Sequence, residues 1–321
     1  MKALAPKEGA AICAGMRVFG VDENGLGPRL GPLIATGVVL ELRQYRAATL
    51  CRRGEALGIT DSKASSAFGR MALAEGFTLA VLERLTGQVP RTADSLFAEL
   101  AVDGMLGLRS PCPGGETSRQ CWSKAPTLPL FGGDVSDGRE RLRALEGRAL
   151  RVMRARSVMV CAGVLNHELS LGHSKLAVDL HAFERLVLEA RAAGDEPLLA
   201  ICGMVGGIRK YEGYFGRFPR AHVHRVEESK QRSVYAVDGV GEVRFEVDSD
   251  RHHLPVAIAS MIGKYLREVA MERLNAFYAD HDPTLPRVSG YHDPKTRAMV
   301  ERTEALRYRL QIADACFERR G

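Results

Sequence analysis

A helix between two buried strands constrains the fold of this chain more than any other stretch. Residues 158–164 and 198–202 are continuous apolar runs, which predict strands covered on both faces. Between them, apolar residues alternate at spacings of four and three, as on one face of a helix: Leu176, Leu180, Phe183, Val187 and Ala190. This strand, helix and strand predict parallel strands joined by a right-handed crossover.

The flanking sequence predicts more strands and helices of an α/β domain. β-type patterns, the first two joined across a glycine-rich bend, occur at residues 17–21, 33–42, 234–237 and 242–247. Helical apolar spacing occurs at residues 68–85, 93–106 and 255–278. Asp238 and Gly239 form a turn dipeptide, so the last two strands are predicted to be a hairpin. We therefore expect a mixed central sheet with helices packed on it.

The domain organisation predicted is an N-terminal tail at residues 1–16 and a single domain at 17–321. Residues 103–136 are rich in Gly, Pro, Ser and Thr, which predicts an irregular insertion. Residues 137–156 predict an arginine-rich helix, with seven arginines against two glutamates from 139 onward. Two interpretations stay open: a solvated helix whose arginines pair with carboxylates elsewhere, or a surface that contacts phosphates.

Composition excludes several classes of protein. Hydrophobic residues at 45% and charged residues at 26% do not fit a disordered, collagen-like or coiled-coil chain. The net charge of +6 permits a polyanionic partner without requiring one. No run of eighteen apolar residues occurs, so we expect a cytoplasmic protein without a membrane partner. The seven cysteines are scattered and include no CxxC pair, which predicts neither a disulfide framework nor a zinc knuckle.

A glycine-rich stretch at residues 25–31 follows the first predicted strand. It does not fit a dinucleotide-binding fingerprint, because the third glycine falls one residue late and a strand, not a helix, comes next. A nucleotide-binding oxidoreductase is therefore disfavoured. Glycines here are better explained by a sharp turn and a close approach of the backbone to a ligand.

Asp22 and Glu23 end the first predicted strand. Adjacent strand residues point to opposite faces, so the two carboxylates converge only if the strand ends or twists there. Converging carboxylates repel each other unless a divalent cation neutralises them, which would indicate a Mg²⁺ or Mn²⁺ site. The alternative is a capping or salt-bridged pair at the surface.

Several segments, taken in order, resemble type 2 ribonuclease H (ribonuclease HII). Residues 20–28, GVDENGLGP, resemble the family's GVDEAGRGP, and residues 250–264 resemble without a gap its stretch from a metal-binding Asp through Ser to Lys. Further matches are Gly31-Pro32 before an apolar strand, Asp61-Ser62-Lys63, Ser260, Lys264, Arg267 and Gly290-Tyr291. The likeness covers residues 17–63 and 198–300 and is slight between 90 and 160.

This resemblance implies a ribonuclease H-like α/β fold and an endonuclease that uses two Mg²⁺ or Mn²⁺ ions. The implied substrate is the RNA strand of RNA–DNA hybrids, or a ribonucleotide embedded in duplex DNA, with 5′-phosphate and 3′-hydroxyl products. Of the four carboxylates that hold metal in the family, Asp22, Glu23 and Asp250 match three. The fourth is expected after the strand at 198–202, where Gly203 stands.

Two outcomes of that glycine stay open: either another acid substitutes, or the protein keeps the fold with little activity. Substitutes near in sequence are Glu227, Glu228 and Asp248, and Asp248 could also replace Asp250 in the assignment. The second outcome would give a protein that binds hybrid or duplex nucleic acid without cutting it.

The resemblance also implies residues that bind nucleic acid. Gly25, Leu26 and Gly27 match the family's GRG, whose backbone surrounds the ribose 2′-hydroxyl, although Leu26 replaces the arginine. Lys63 and Lys264 would contact phosphate, Ser260 would also bind nucleic acid, and Tyr291 would stack on a sugar. The alternatives are solvated lysines and a buried Gly-Tyr turn. His252 and His253, close to Asp250, could transfer protons or simply support the site.

Overall fold

The computed structural model describes residues 15–59, 71–115, 117–147, 149–194 and 196–320. They contain a seven-stranded sheet in the order β3-β2-β1-β4-β7-β6-β5. Its strands are β1 (Met16–Asn24), β2 (Leu33–Leu42), β3 (Leu150–Val160), β4 (Leu198–Gly203), β5 (Val223–Glu228), β6 (Arg232–Val237) and β7 (Gly241–Glu246). The β1–β4 and β4–β7 pairs are parallel and the others antiparallel. The predicted mixed α/β fold is confirmed.

Helices cover both faces of this sheet. Those of the described ranges are α1 (Ala47–Ala56), α2 (Met71–Thr86), α3 (Ala93–Leu100), α4 (Gly104–Leu108), α5 (Arg119–Trp122), α6 (Val135–Leu145), α7 (Ala162–Ser170), α8 (Lys175–Ala192), α9 (Ser249–His252), α10 (Leu254–His281), α11 (Pro294–Arg302), α12 (Glu304–Arg309) and α13 (Asp314–Phe317). Helices α2 and α10 share a core with one sheet face. Helix α8 packs on the other face.

Alternation along β1 determines which face each of its side chains meets. Val18 belongs to the core beneath α10, whereas Phe19 and Val21 belong to the core beneath α8. The strand stays regular to Asn24. Asp22 therefore lies on the α10 face and Glu23 on the α8 face.

A close contact brings α10 onto β1. A Cβ built on Gly20 would lie 2.2 Å from the carbonyl carbon of Pro255, so only glycine allows this approach. The proline occupies the first turn of α10, where its missing N–H has no cost. This contact holds the beginning of α10, and α9 before it, over the end of β1.

The predicted arginine-rich helix at residues 137–156 is wrong in its second half. Helix α6 ends at Leu145, and the following residues form β3. Leu150 and Val152 are buried while Arg151 is exposed, and β3 pairs along its length with β2. Sheet pairing thus outweighs helix propensity in this segment.

The other end of β3 also differs from the prediction. The strand expected at residues 158–164 ends at Val160, and α7 begins with Cys161 as its N-cap. β3 is parallel to β4, as predicted, but β2 and β1 lie between them. The predicted β6–β7 hairpin is confirmed, with Gly239 at a φ of +71° in its turn.

The arginines of residues 137–156 are largely engaged with acids and carbonyls. Arg139 pairs with Glu83 at 2.6 Å, and Arg154 and Arg156 both pair with Glu189. These contacts favour the first interpretation, a face whose arginines find carboxylates elsewhere in the fold.

The predicted insertion is irregular apart from the short α4 and α5, and Glu75 of α2 anchors its end. The Glu75 carboxylate accepts backbone N–H groups from Leu130, Phe131 and Gly133 and the hydroxyl of Tyr265. Cysteines that are scattered in sequence gather beside the insertion and line one cavity of about 490 Å³: Cys112, Cys121, Cys161 and Cys316. Within the described ranges, no helix is both long and apolar enough to cross a membrane.

Candidate functional site

A row of residues crosses the sheet at the carboxyl end of its central parallel strands. Thr36 pairs with Asp22, and Gly203 pairs with Glu246. Since Val21 pairs with Cys202, Asp22 and Gly203 are next to each other between these pairs. The row thus places two carboxylates on the α10 face with a residue that lacks a side chain between them.

Asp22 lies under the junction of α9 and α10, among the residues predicted to accompany it. Enclosure of its carboxyl group raises its pKa well above the usual range, and the charges of Glu23 and Asp250 add to the rise. Ser260 Oγ is buried and makes no hydrogen bond of standard geometry. It nevertheless lies close enough to Asp22 to offset part of the rise in the pKa of that carboxyl group. The fold therefore brings Asp22, Asp250 and Ser260 together from distant parts of the chain.

Glu23 takes the opposite face of the sheet. Its Oε2 accepts the backbone N–H of Leu26 at 3.2 Å, which ties the glycine-rich loop to the strand end. Burial raises its pKa, while this hydrogen bond and the positive charges of Arg319 and Arg267 oppose the rise. Because β1 continues past Asp22 to Asn24, the side chains of Asp22 and Glu23 point to opposite faces of the sheet. Their carboxylates can approach each other only around the carboxyl end of the strand.

A carboxylate that the sequence analysis missed lies beside Glu23. Asp179 of α8 is fully buried, and neither of its side-chain oxygens has a hydrogen-bond partner. Burial raises its pKa well above the usual range, and the charges of Glu23 and Asp22 raise it further. A signal was present: Asp179 falls three residues after Leu176 and four before Phe183, inside the apolar stripe of its helix.

The space beside Gly203 is taken by Asp22 itself. A Cβ built on Gly203 would lie 2.8 Å from Asp22 Oδ1 and 3.9 Å from Ser249 Oγ. No acid from elsewhere is among the atoms nearest this point.

The substitutes considered from the sequence lie elsewhere. Glu227 and Glu228 are on β5, the outer strand beyond β7 and β6, where Glu227 pairs with Arg232 and Glu228 accepts from Tyr235. Asp248 is exposed in a left-handed turn at a φ of +48°. The negative charge of Asp250 contributes to the raised pKa of Asp22.

Glu246 pairs with Gly203 in the sheet. It is therefore another candidate, on the α10 face, for the missing metal-binding carboxylate. Its Oε2 is 2.9 Å from His253 Nε2, and His253 Nδ1 is 2.6 Å from the Tyr45 hydroxyl. The hydrogen bond from His253 lowers the pKa of Glu246. His253 is buried and doubly bonded, so it supports the site, while His252 is exposed.

Four of the residues predicted to bind nucleic acid lie in or beside the loop after β1: Gly25, Leu26, Gly27 and Tyr291. Gly290 O accepts the backbone N–H groups of Arg29 and Leu30, which brings Tyr291 to the loop that contains Gly25, Leu26 and Gly27. Tyr291 is 50% exposed, so it is not a buried turn residue.

Two arginines support this loop from beneath. The buried Arg267 lies with its guanidinium 4.8 Å from the Tyr291 ring centre, as in a cation–π contact. Arg319, which the sequence analysis missed, donates to the carbonyls of Gly25 and Gly31. Nothing in its local sequence indicates this contact, because it depends on how the C-terminal segment folds back.

Lys264 is on α10, four residues after Ser260, and is partly exposed. Lys63 lies outside the described residues. The lysine contacts to phosphate that the resemblance implies therefore stay predictions.

The acidic side chains gathered near the end of β1 could bind a divalent cation, because carboxylate oxygens are the ligands that Mg²⁺ and Mn²⁺ prefer. The unpartnered oxygens of Asp179 and the enclosed carboxyl of Asp22 are groups that a cation would satisfy. In the part of the chain that is described, no three His, Cys, Asp or Glu side chains already form a metal cluster.

Fold and site together define an α/β protein with a mixed sheet and acidic residues gathered at the end of its central strands. No family model and no curated protein matches the chain. It is similar to solved structures of ribonucleases H. One is ribonuclease HII from Archaeoglobus fulgidus in a complex with PCNA, at 16% identity and a TM-score of 0.46 over 94% of this chain and 93% of that chain.

Two other structures show similar values. Ribonuclease H2 from Pyrococcus horikoshii is 17% identical with a TM-score of 0.41, over 94% of this chain and 92% of that one. Ribonuclease H3 from Aquifex aeolicus is 10% identical with a TM-score of 0.43, over 95% of this chain and 71% of that one. At such distances these similarities do not assign an activity.

Proposed function

We propose that this protein is a divalent-metal-dependent endoribonuclease of the ribonuclease H type. Its substrate is the RNA strand of an RNA–DNA hybrid or a ribonucleotide embedded in duplex DNA. The observation that supports the proposal is geometric: Asp22 Oδ1 and Oγ of Ser249, the residue before Asp250 in α9, both lie within 4 Å of the point where a Cβ on Gly203 would stand.

In the proposed reaction, water attacks the phosphorus and the bond from phosphorus to the 3′-oxygen breaks. The 3′-oxygen takes up a proton to become a hydroxyl, and the phosphate stays on the 5′ end of the downstream strand. Bound Mg²⁺ or Mn²⁺ supplies activation of the water and stabilisation of the leaving oxygen. Asp22, Glu23 and Asp250 are the residues proposed to hold the metal.

Recognition is assigned to the loop after β1. The backbone of Gly25, Leu26 and Gly27 would surround the ribose 2′-hydroxyl, the group that distinguishes RNA from DNA. The Tyr291 ring is half-exposed and lies against the Arg267 guanidinium, and it would stack on a sugar of the substrate.

The experiment that tests this proposal compares substrates in Mg²⁺ and in Mn²⁺. A duplex with a single ribonucleotide and a long RNA–DNA hybrid should be cut, whereas the all-DNA duplex of the same sequence should not. Asp250→Asn should abolish cleavage, while Asp238→Asn, in the exposed β6–β7 turn, should not. Equal cutting of all-DNA duplex would contradict the assignment.

A second function is a protein that binds hybrid or duplex nucleic acid without cutting it. The surroundings of Gly203 favour this second function. The Asp22 carboxylate occupies the space beside Gly203, and the atoms nearest that space include no other acid. This function predicts that the unmodified chain binds hybrid and leaves it intact in either metal. Cleavage by the unmodified chain would exclude it.

A further inference from the structure

Among the described residues, Asp179 differs from the buried Glu75 and Glu184 in that its carboxylate has no hydrogen-bond partner. Glu75 accepts three backbone N–H groups and a tyrosine hydroxyl. Glu184, on the same helix as Asp179, accepts the backbone N–H groups of Gly216, Arg217 and Phe218. Both of these buried acids therefore have hydrogen-bond partners within the protein that account for their burial.

Leaving Asp179 unsatisfied has a substantial energetic cost. A buried polar group without a hydrogen-bond partner destabilises the folded state, and an ionised group does so more strongly. Asp179 is 0% exposed, and both of its carboxylate oxygens are orphaned. Replacement by an apolar residue would remove this cost, since the positions around it on α8 are apolar.

The surroundings of Asp179 increase that cost and indicate what would offset it. The charges that act most strongly on it are those of Glu23 and then Asp22, both negative. A cation bound among these acids would compensate the buried charge of Asp179. Helix α8 packs on the face that Glu23 occupies, so Asp179 approaches from the side opposite Asp250.

We propose that Asp179 is the fourth carboxylate that holds divalent metal at this site, in place of the carboxylate that is missing at Gly203. The inference rests on the proposed function for the identity of the site, and it adds a ligand from α8 on the other face of the sheet.

Glu246 is the competing residue, because it is Gly203's neighbour in the sheet. Its carboxylate is already bonded to His253, which in turn contacts Tyr45. Glu246 therefore has a partner in the protein, whereas Asp179 has none. This difference favours Asp179 and provides a matched comparison.

The test measures Mn²⁺ binding directly, by equilibrium dialysis and by the Mn²⁺-dependent rise in melting temperature, on the full chain. Asp179→Asn keeps the size of the side chain and should weaken Mn²⁺ affinity by about 10- to 100-fold. Glu246→Gln and the exposed-turn control Asp238→Asn should leave it within about twofold.

Mn²⁺ affinity unchanged in Asp179→Asn would overturn the proposal and make Asp179 a protonated core residue. Loss in Glu246→Gln without loss in Asp179→Asn would overturn it in favour of Glu246. If Asp179→Asn lowers the melting temperature of the metal-free protein, Mn²⁺ binding is measured on Asp179→Leu instead, because that variant removes the buried oxygens.

The two proposals fail differently. If the unmodified chain binds Mn²⁺ through Asp179 but does not cut a ribonucleotide-containing duplex, the proposed function fails and the ligand assignment stands. If it cuts while Asp179→Asn binds Mn²⁺ normally, the function stands and the assignment fails. No Mn²⁺ binding by the unmodified chain would contradict both.

Discussion

Gly203 and Asp22 face each other where β4 and β1 end, and a Cβ on Gly203 would stand 2.8 Å from Asp22 Oδ1. That distance is shorter than real Cβ contacts, so any side chain at position 203 must displace the Asp22 carboxylate. Gly203 is not in a left-handed conformation, so its backbone accepts other residues. The glycine thus determines where Asp22 rests.

Gly203→Ala should reduce cleavage without unfolding the protein. The added methyl group pushes Asp22 aside, and displacement of a ligand of this kind costs about 10-fold or more in activity. Gly114→Ala is the matched control, because nothing lies within 4 Å of the Cβ it would add. Single-turnover cleavage and melting temperature are measured for both, and equal rates would show that the position of Asp22 is not critical.

The metal-free protein should lose stability, relative to Asp179→Asn, as pH rises. The pKa of Asp179 is raised in the fold, while that of an aspartate in the unfolded chain is about 3.9. Between these values the folded state keeps a proton that the unfolded chain releases, so the free energy of unfolding falls with increasing pH. Urea denaturation in EDTA from about pH 4 to pH 8 measures this difference, and parallel curves for the two proteins would refute it.

Glu75→Gln should destabilise the protein by roughly 3 kcal/mol. The buried carboxylate is the shared acceptor for three backbone N–H groups, and an amide cannot accept them all. Glu83→Gln on the same helix removes a partly exposed pair with Arg139 and should cost below about 1 kcal/mol. Urea denaturation of the two variants gives the comparison, and similar losses would mean that Glu75 does not anchor the insertion.

Tyr291→Ala should weaken hybrid binding by about 10-fold, the scale of one aromatic stacking contact. Tyr291→Phe keeps the ring over Arg267 and should bind normally. Tyr308→Ala, which removes a tyrosine that is 87% exposed, tests whether any surface tyrosine has this effect. Fluorescence anisotropy with a labelled hybrid measures all three, and normal binding by Tyr291→Ala would remove this residue from the interface.

Most of the fold could be predicted because its elements carry clear periodicity. The β1–β2 pair, α8, β4, the β6–β7 hairpin and α10 follow apolar patterns that local sequence determines. β3 could not, because Arg151, Arg154 and Arg156 resemble a charged helix until pairing with β2 is known. The strand expected to continue to residue 164 ends at Val160, and the thiol of Cys161 caps the next helix.

The candidate site was only partly predictable. Asp22, Glu23 and Asp250 could be selected from short motifs, but their placement on two faces of the sheet depends on β1 continuing to Asn24. Asp179 stands in no motif, and only its charge within an apolar stripe distinguishes it. Arg319 reaches the loop after β1 through the path of the C-terminal segment, which no local pattern encodes.

The central claim is that Asp22 belongs to a metal-dependent ribonuclease site, and one cleavage assay tests it most directly. A duplex with one embedded ribonucleotide, labelled at its 5′ end, is incubated with Mn²⁺ and either the unmodified chain or Asp22→Asn. We predict cutting at the ribonucleotide to a 3′-hydroxyl product by the unmodified chain, and none by Asp22→Asn or in EDTA. Equal cutting by both proteins, or cutting that persists in EDTA, would contradict the claim.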